Sequence, residues 1–197
     1  ALKQSQPPQT TRILDRHGRL LSELFKERRT VVPMSRIPRV LVLSVLAAED
    51  ADFYRHQGLD YAGIARALFR DMISGKAIQG ASTVTQQIVK NILLTPERTI
   101  ERKIKELILA RRLEQKLSKD EILYLYLNHI CFGHGRYGVQ EASQFFFGKD
   151  VGHLNLAQAS MLAGIPKAPS RFSPLDHPRA ARRRQHYVLD QLEAKRE

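Results

Sequence analysis

The chain has 197 residues, 43% hydrophobic and 26% charged, which is the composition of a globular protein able to bury a core and excludes a disordered chain. Its single cysteine, Cys131, excludes an intrachain disulfide and argues against a thiolate zinc site. Thirty-two Lys and Arg against 20 Asp and Glu leave a net charge of +12, which points to polyanionic partners such as nucleic acid, phosphorylated substrates or an acidic membrane face, or simply to a soluble surface.

Residues 1–39 read as a loosely organised lead-in. Pro7, Pro8, Pro33 and Pro38 punctuate short apolar runs, and Asp15-Arg16-His17-Gly18 predicts a turn between two short strands. From Val40 the pattern turns helical, with Val40, Leu43 and Ala47 predicted on one face. This stretch, Val40 to Ala48, is the longest apolar run and falls far short of the ~20 residues a membrane-spanning helix needs. Tyr61 to Ile73 and the chain from Ile92 continue at helical spacing. Gly75, Gly80 and Ala81-Ser82-Thr83 separate two helices, and Thr83 with Gln86 predicts a capping box for the second. Pro96 suits a first helical turn ahead of the long segment Arg98 to Leu117. Ser118 restarts a helix, Gly133, Gly135 and Gly138 break the chain, and helices are predicted near Val139 to Phe146, Leu156 to Ala163 and from Pro178 onward. The fold class is therefore mainly α with a short extended N-terminal segment.

Three segments could carry chemistry. Glu49-Asp50 closes an apolar helical run and is followed by Phe53, His56 and Gly58; burial and the negative end of a helix both raise a carboxyl pKa, which suits a general base. The same pair also reads as two surface residues ending a helix. In Thr83 to Asn91, Val84, Ile88 and Ile92 face a core, while Thr83, Gln87, Lys90 and Asn91 present amides and hydroxyls around one cation, either to a polyhydroxyl or phosphorylated ligand or to water. In Arg98 to Arg112, Ile100, Ile104, Leu107 and Ile108 form the expected buried stripe, with Arg98, Arg102, Lys105 and Glu106 opposite. That cluster reads as a diphosphate site or as a salt-bridged surface helix. His56 reads as a hydrogen-bonding structural residue, and Arg179 to Arg184 as a solvated helix face. No Walker loop, dinucleotide fingerprint or G-x-S-x-G elbow occurs.

Five blocks in order resemble the family 51 peptidoglycan glycosyltransferases, the transglycosylase modules of class A penicillin-binding proteins. They are Glu49-Asp50-x-x-Phe53-x-x-His56-x-Gly58; Gly80-x-Ser82-Thr83-Val84-Thr85-Gln86-Gln87-x-x-Lys90-Asn91; Arg102-Lys103-x-x-Glu106; Tyr126-Leu127-Asn128 with Gly133 and Gly138; and Leu162-Ala163-Gly164-x-Pro166-x-Ala168-Pro169. The resemblance implies a lysozyme-like large lobe within residues 40–197, with a jaw lobe near 62–100, at the outer face of the bacterial cytoplasmic membrane. It implies lipid II and a growing glycan strand as substrates, Glu49 as general base, and Glu106 as a second key carboxylate. Asp50, Phe53, His56, Ser82, Thr83, Gln86, Gln87, Lys90, Asn91, Arg98, Arg102 and Lys105 match positions that bind substrate or shape its cleft. Lys90, Arg98 and Lys105 would neutralise the leaving diphosphate.

The same resemblance makes Mg²⁺ or Mn²⁺ on that diphosphate the one cofactor to expect, moenomycin the expected inhibitor, and a membrane surface, not nucleic acid, the expected partner. Apolar residues between Ile64 and Ile78 are expected to reach into the bilayer. The lead-in resembles that of a bifunctional protein, with an anchor helix upstream and a transpeptidase domain downstream. Tyr124 and Gln158 stand where the family commonly has Glu, and Cys131 where it has Tyr. A lysozyme-like hydrolase and a non-enzymatic basic module are the rival readings.

Overall fold

The computed structural model describes residues 11–14, 16–17, 20–24, 28–61, 82–93 and 99–195. Most of the expected jaw, the bilayer-reaching segment Ile64 to Ile78, and Arg98 lie outside them. Strands β1 (Thr11–Leu14) and β2 (Leu20–Leu24) pair antiparallel around the expected turn. The rest is helical: α1 (Arg39–Glu49), α2 (Val84–Ile88), α3 (Ile100–Glu114), α4 (Lys119–His129), α5 (Val139–Phe147), α6 (Leu156–Gly164), α7 (Pro169–Phe172) and α8 (Pro178–Ala194). A two-residue parallel pair joins β3 (Arg28–Arg29) to β4 (Arg136–Tyr137). The mainly α, lysozyme-like class expected from the sequence is the class found. No helix among the described residues is long and apolar enough to cross a membrane.

Capping chemistry sets the helix limits. Thr83 starts α2 with the expected capping box, Ser118 starts α4 with another, and Asn155 with Gln158 starts α6 with a third. Gln158 thus does the work a Glu does at the same position of a capping box, which is why that departure from the family pattern leaves the helix start intact. Gly138 precedes α5 at φ +82°, where an added Cβ would lie 2.7 Å from the Asn128 carbonyl oxygen. Asn128 itself is buried and exchanges hydrogen bonds with both backbone groups of Val32, at 2.9 and 3.1 Å, which pins the end of the lead-in to α4.

Two helix groups share one core. α1 packs with α6 and α8, and α2 packs with α3 and α4. Leu41, Val45, Val84, Ile88, Ile122, Leu123, Leu127, Leu162 and Val188 are buried in that shared core. Two faces differ from the sequence expectation. On α1 the buried face is Leu41, Ser44, Val45 and Leu46, while Val40, Leu43 and Ala47 line an open apolar groove with Leu189 and Leu192. An almost wholly apolar helix has no strong periodicity, so its pattern does not choose a face.

On α3 the inversion is larger. Ile100, Ile104 and Ile108 are 82%, 52% and 49% exposed, while Glu106 is 2% exposed and sits on the inner face with Ala110 and Leu113. Glu106 pairs with Lys103, one turn away on the same helix. With Glu106, Ala110 and Leu113 on the inner face, helical phase leaves Ile100, Ile104 and Ile108 outward.

Candidate active site

The site grows from the C-terminal end of α1, where the two helix groups meet. Glu49 is the last residue of α1, and Asp50 caps it in a non-helical conformation. Asp50 is buried and ties three pieces of backbone together. Its Oδ2 accepts the Val84 amide of α2 at 2.9 Å, and its Oδ1 lies 2.9 Å from His56 Nε2 in the turn after α1. Thr83 donates to the Gly58 carbonyl at 2.7 Å, so that turn is clamped against the start of α2. Gly58 has φ +88°, and an added Cβ would meet the Ala110 carbonyl oxygen at 3.0 Å; the close approach of the turn to α3 requires glycine there.

Glu49 is held by both carboxylate oxygens. Gln87 Nε2 donates to Oε2 at 2.9 Å, and Arg184 Nη2 of α8 donates to Oε1 at 3.4 Å. Behind Gln87 the buried Tyr126 hydroxyl of α4 donates to Gln87 Oε1 at 3.2 Å, so Gln87 is oriented with its amide NH₂ toward Glu49. Burial pushes the Glu49 carboxyl above its ordinary value, against the pull of the Gln87 hydrogen bond and of the Arg184 and Lys167 charges. The Tyr126 hydroxyl is pushed well up, first by burial and then by the Glu49 and Asp50 charges. Burial also holds the Lys167 ammonium below the usual lysine value, with Arg184 and Lys90 adding to that push and Glu49 opposing it. A desolvated carboxylate with fixed lone pairs, ringed by cations, can take a proton from a hydroxyl near neutral pH.

The residues expected at this site divide into three groups. Glu49, Asp50, His56 and Gln87 come together, and Lys90 joins them through the field it exerts on Lys167. Phe53, Thr83 and Gln86, expected on the ligand side, are turned into the core. Phe53 lies beneath the Lys119 ammonium, 4.4 Å from its ring centroid. The polar groups of Thr83 and Gln86 satisfy each other in the α2 cap. These three shape the wall from behind. On α3, Lys103 Nζ pairs with Glu106 and lies 3.5 Å from Ser82, while Lys105 pairs with Glu101 at the exposed surface, 2.6 Å away. Arg102 is half-buried, and its Nε has no hydrogen-bond partner among the described residues. Lys90 and Asn91 are exposed on a single π-helical turn, Val89–Leu93, that continues α2. Such turns displace side chains from the regular helical track.

Arg184, Tyr126 and Lys167, which the sequence reading did not assign, surround Glu49 and Gln87. Arg184 had a signal. Ala181 and Val188 are the buried residues of α8, and Arg184 lies three after one and four before the other, on the inner stripe and not on the solvated face expected for Arg179 to Arg184. Tyr126 likewise follows Ile122 by four on the core face of α4. Lys167 sits in the turn between α6 and α7, where no periodicity speaks.

A mainly α domain with a buried, cation-ringed glutamate at a helix end is the architecture of a lysozyme-like glycosyl-transferring domain. Residues 17–193 match the family described as Transglycosylase, and the chain belongs to that family. It is 42% identical over 183 residues to penicillin-binding protein 1F of Bacillus subtilis, a match covering 93% of this chain and 26% of the relative. To penicillin-binding protein 1A of Neisseria lactamica it is 43% identical over 192 residues, covering 98% of this chain and 24% of the relative. The crystal structure of penicillin-binding protein 1A from Haemophilus influenzae aligns with a TM-score of 0.56 and 25% identity, over 98% of this chain and 19% of that one. The chain thus spans about a quarter of the length of these curated relatives and corresponds to the transglycosylase domain of class A penicillin-binding proteins.

Proposed function

We propose that this domain polymerises lipid II into β-1,4-linked glycan at the outer face of the bacterial cytoplasmic membrane, inverting the anomeric carbon and releasing undecaprenyl diphosphate. The observation that carries the reading is the state of Glu49: buried, raised in pKa, and tethered through both oxygens. As general base it removes the proton from the acceptor sugar's 4-hydroxyl as that oxygen attacks the anomeric carbon of the growing strand. The leaving diphosphate carries its own negative charge, so it needs counter-charge and not the protonated second carboxyl of a glycosidase. In this reading Lys90, Lys167 and Lys103 supply that counter-charge, and Glu106, paired with Lys103, orients that lysine. The described residues bring together no group of three or more His, Cys, Asp or Glu; Mg²⁺ or Mn²⁺ in this reading travels with the diphosphate. Moenomycin is the expected inhibitor, because it competes for the same charge-neutralising surface.

A membrane surface is the expected partner in place of nucleic acid. The exposed Ile100, Ile104 and Ile108 of α3 form an apolar stripe on a chain of net charge +12, a combination suited to anionic headgroups over hydrocarbon. The catalytic reading is tested with labelled lipid II in detergent, comparing the parent with Glu49→Gln and digesting any product with muramidase. Digestible polymer from the parent and a loss of at least ~100-fold in the variant are expected. Polymer from Glu49→Gln at the parent's rate would remove Glu49 as the base, and shortening of preformed glycan by the parent would favour the hydrolytic alternative.

A further inference from the structure

We infer that Arg184 is a positioning residue for Glu49: it locks the carboxylate to the end of α1 and keeps it in the ionised, base-competent form. This inference rests on the reading of Glu49 as the base and adds a part to it that the family motifs singled out above do not contain. One nitrogen of the guanidinium reaches two acceptors, the Glu49 carboxylate at 3.4 Å and the Ala48 carbonyl at 3.3 Å. The carbonyls in the last turn of a helix have no partner within it. A cation that bridges such a carbonyl and the side chain of the next residue fixes that side chain relative to the helix axis. Gln87 fixes the other oxygen from the opposite side, so the carboxylate plane cannot turn without breaking one of the two contacts.

The arginine is itself built into a socket. Its guanidinium lies 4.3 Å from the Tyr187 ring centroid and 5.9 Å from that of Phe172. Its Cγ passes 2.9 Å from where a Cβ on Gly164 would stand, so that glycine of α6 leaves the space through which the side chain runs. Its side chain is 13% exposed, and its Nε is buried with no hydrogen-bond partner among the described residues. A donor left unsatisfied costs free energy, and a local rule broken at one atom is characteristic of a site where another requirement decides the geometry. Here that requirement is the reach to Glu49. Lysine would bring a point charge but not a planar fork held between two rings.

The charges facing Glu49 come from every element around it: Asp50 with His56 from the end of α1 and its turn, Gln87 and, beyond Lys167, Lys90 from α2, Tyr126 from α4, Lys167 from the turn after α6, and Arg184 from α8. The Gln87 hydrogen bond, Arg184 and Lys167 favour the anion, and burial opposes it. Removing the guanidinium therefore moves the ionisation of Glu49 to higher pH. The base is then protonated over a wider acidic range, while at alkaline pH the anion is still reached.

The test uses the 197-residue chain as parent, Arg184→Gln, Arg184→Lys and Glu49→Gln. Two readouts are taken on each: kcat/KM for polymerisation of labelled lipid II in detergent across pH, and the ¹³C titration of the Glu49 side-chain carboxyl, which needs no turnover. For Arg184→Gln a loss on the order of tenfold is expected below the parent's acid limb and a smaller one above it, with the carboxyl titrating at higher pH than in the parent. Arg184→Lys is expected to hold the limb near the parent's while kcat falls, since charge is kept and orientation lost. A Glu49 titration unchanged by Arg184→Gln, or an activity loss equal at every pH in both variants, overturns the inference. Should Arg184→Gln fail to fold, Arg184→Lys decides it: parental kcat in that variant, which keeps the charge but not the reach to both Glu49 and the Ala48 carbonyl, overturns it. Glu49→Gln at parental activity overturns the base assignment instead, and the carboxyl titration still reports separately whether Arg184 controls Glu49.

Discussion

Burial of the Glu49 carboxyl ties the stability of the fold to pH. Because burial holds its folded-state pKa above the ordinary value of 4.5, the folded protein binds this proton more tightly than the unfolded chain does. The stability that follows is fully present below the ordinary value and is lost as pH rises through the folded-state value. Glu49→Gln removes that dependence. The melting temperature of the variant relative to the parent is therefore expected to climb as pH rises above the ordinary carboxyl value of 4.5, and a difference that stays flat with pH would contradict the buried-carboxylate picture. Asp50 plays the opposite part. It is buried against His56 and accepts the Val84 amide, so Asp50→Ala leaves a buried donor and a buried ring nitrogen unmatched and is expected to cost about 3 kcal/mol. Equilibrium denaturation in urea checks it; a loss below about 1 kcal/mol would mean that water replaces the carboxylate. At this scale the sequence told Glu49, Asp50, His56 and Gln87 from their neighbours by motif. It did not separate Arg184 from Arg182 and Arg183, because three successive cations differ only in helical phase, and the Ala181–Val188 spacing that sets the phase was not used.

Elements position these residues through their ends. α2 has five residues before its π-helical turn and could not persist alone, since so short a helix does not repay its nucleation. It is held by its cap, by the Asp50 contact to its first amide, and by the Thr85 hydroxyl, which donates to Glu114 of α3 at 2.6 Å. Thr83→Ala removes both the cap acceptor and the donor to Gly58, so a loss of about 2 kcal/mol is expected, a fall of roughly 4–8 °C in melting temperature for a domain of this size. Activity is expected to fall further than stability requires, because Gln87 rides on α2. A Thr83→Ser variant, which keeps the hydroxyl, should recover most of both; failure of serine to do so would assign the effect to the methyl group and not to the cap. Helix ends were legible because caps are local chemistry, visible in Thr83-x-x-Gln86 and Ser118-x-x-Glu121. Helix faces were less so. On α3 the rule that apolar residues point inward selected Ile100, Ile104 and Ile108, and the buried residues are instead Glu106, Ala110 and Leu113.

At the scale of the whole molecule the reversed face gives the excess charge a geometric meaning. Free cations on a soluble surface repel one another and gain little from water, but next to a bilayer each Lys or Arg near an anionic leaflet is worth about 1 kcal/mol. Three exposed isoleucines add apolar area to the same helix that carries Lys103, Lys105, Arg111 and Arg112. An enzyme acting on a polyprenyl diphosphate gains from such a surface, since the reacting sugar sits at headgroup height and the lipid need not leave the membrane. Replacing Ile100, Ile104 and Ile108 together by Asn removes only exposed side chains, so the melting temperature is expected to stay within a few degrees of the parent's, as surface changes usually do. Flotation with vesicles containing anionic lipid is expected to weaken by about tenfold or more, given roughly 1.5 kcal/mol or more for each isoleucine fully transferred from water. Vesicles without anionic lipid should bind the parent weakly, and added salt should weaken binding to the anionic ones by screening the cations. If the triple variant floats as the parent does, the isoleucine stripe is not the membrane contact. If flotation ignores both lipid charge and salt, the net charge of +12 serves some purpose other than holding the domain against a membrane surface.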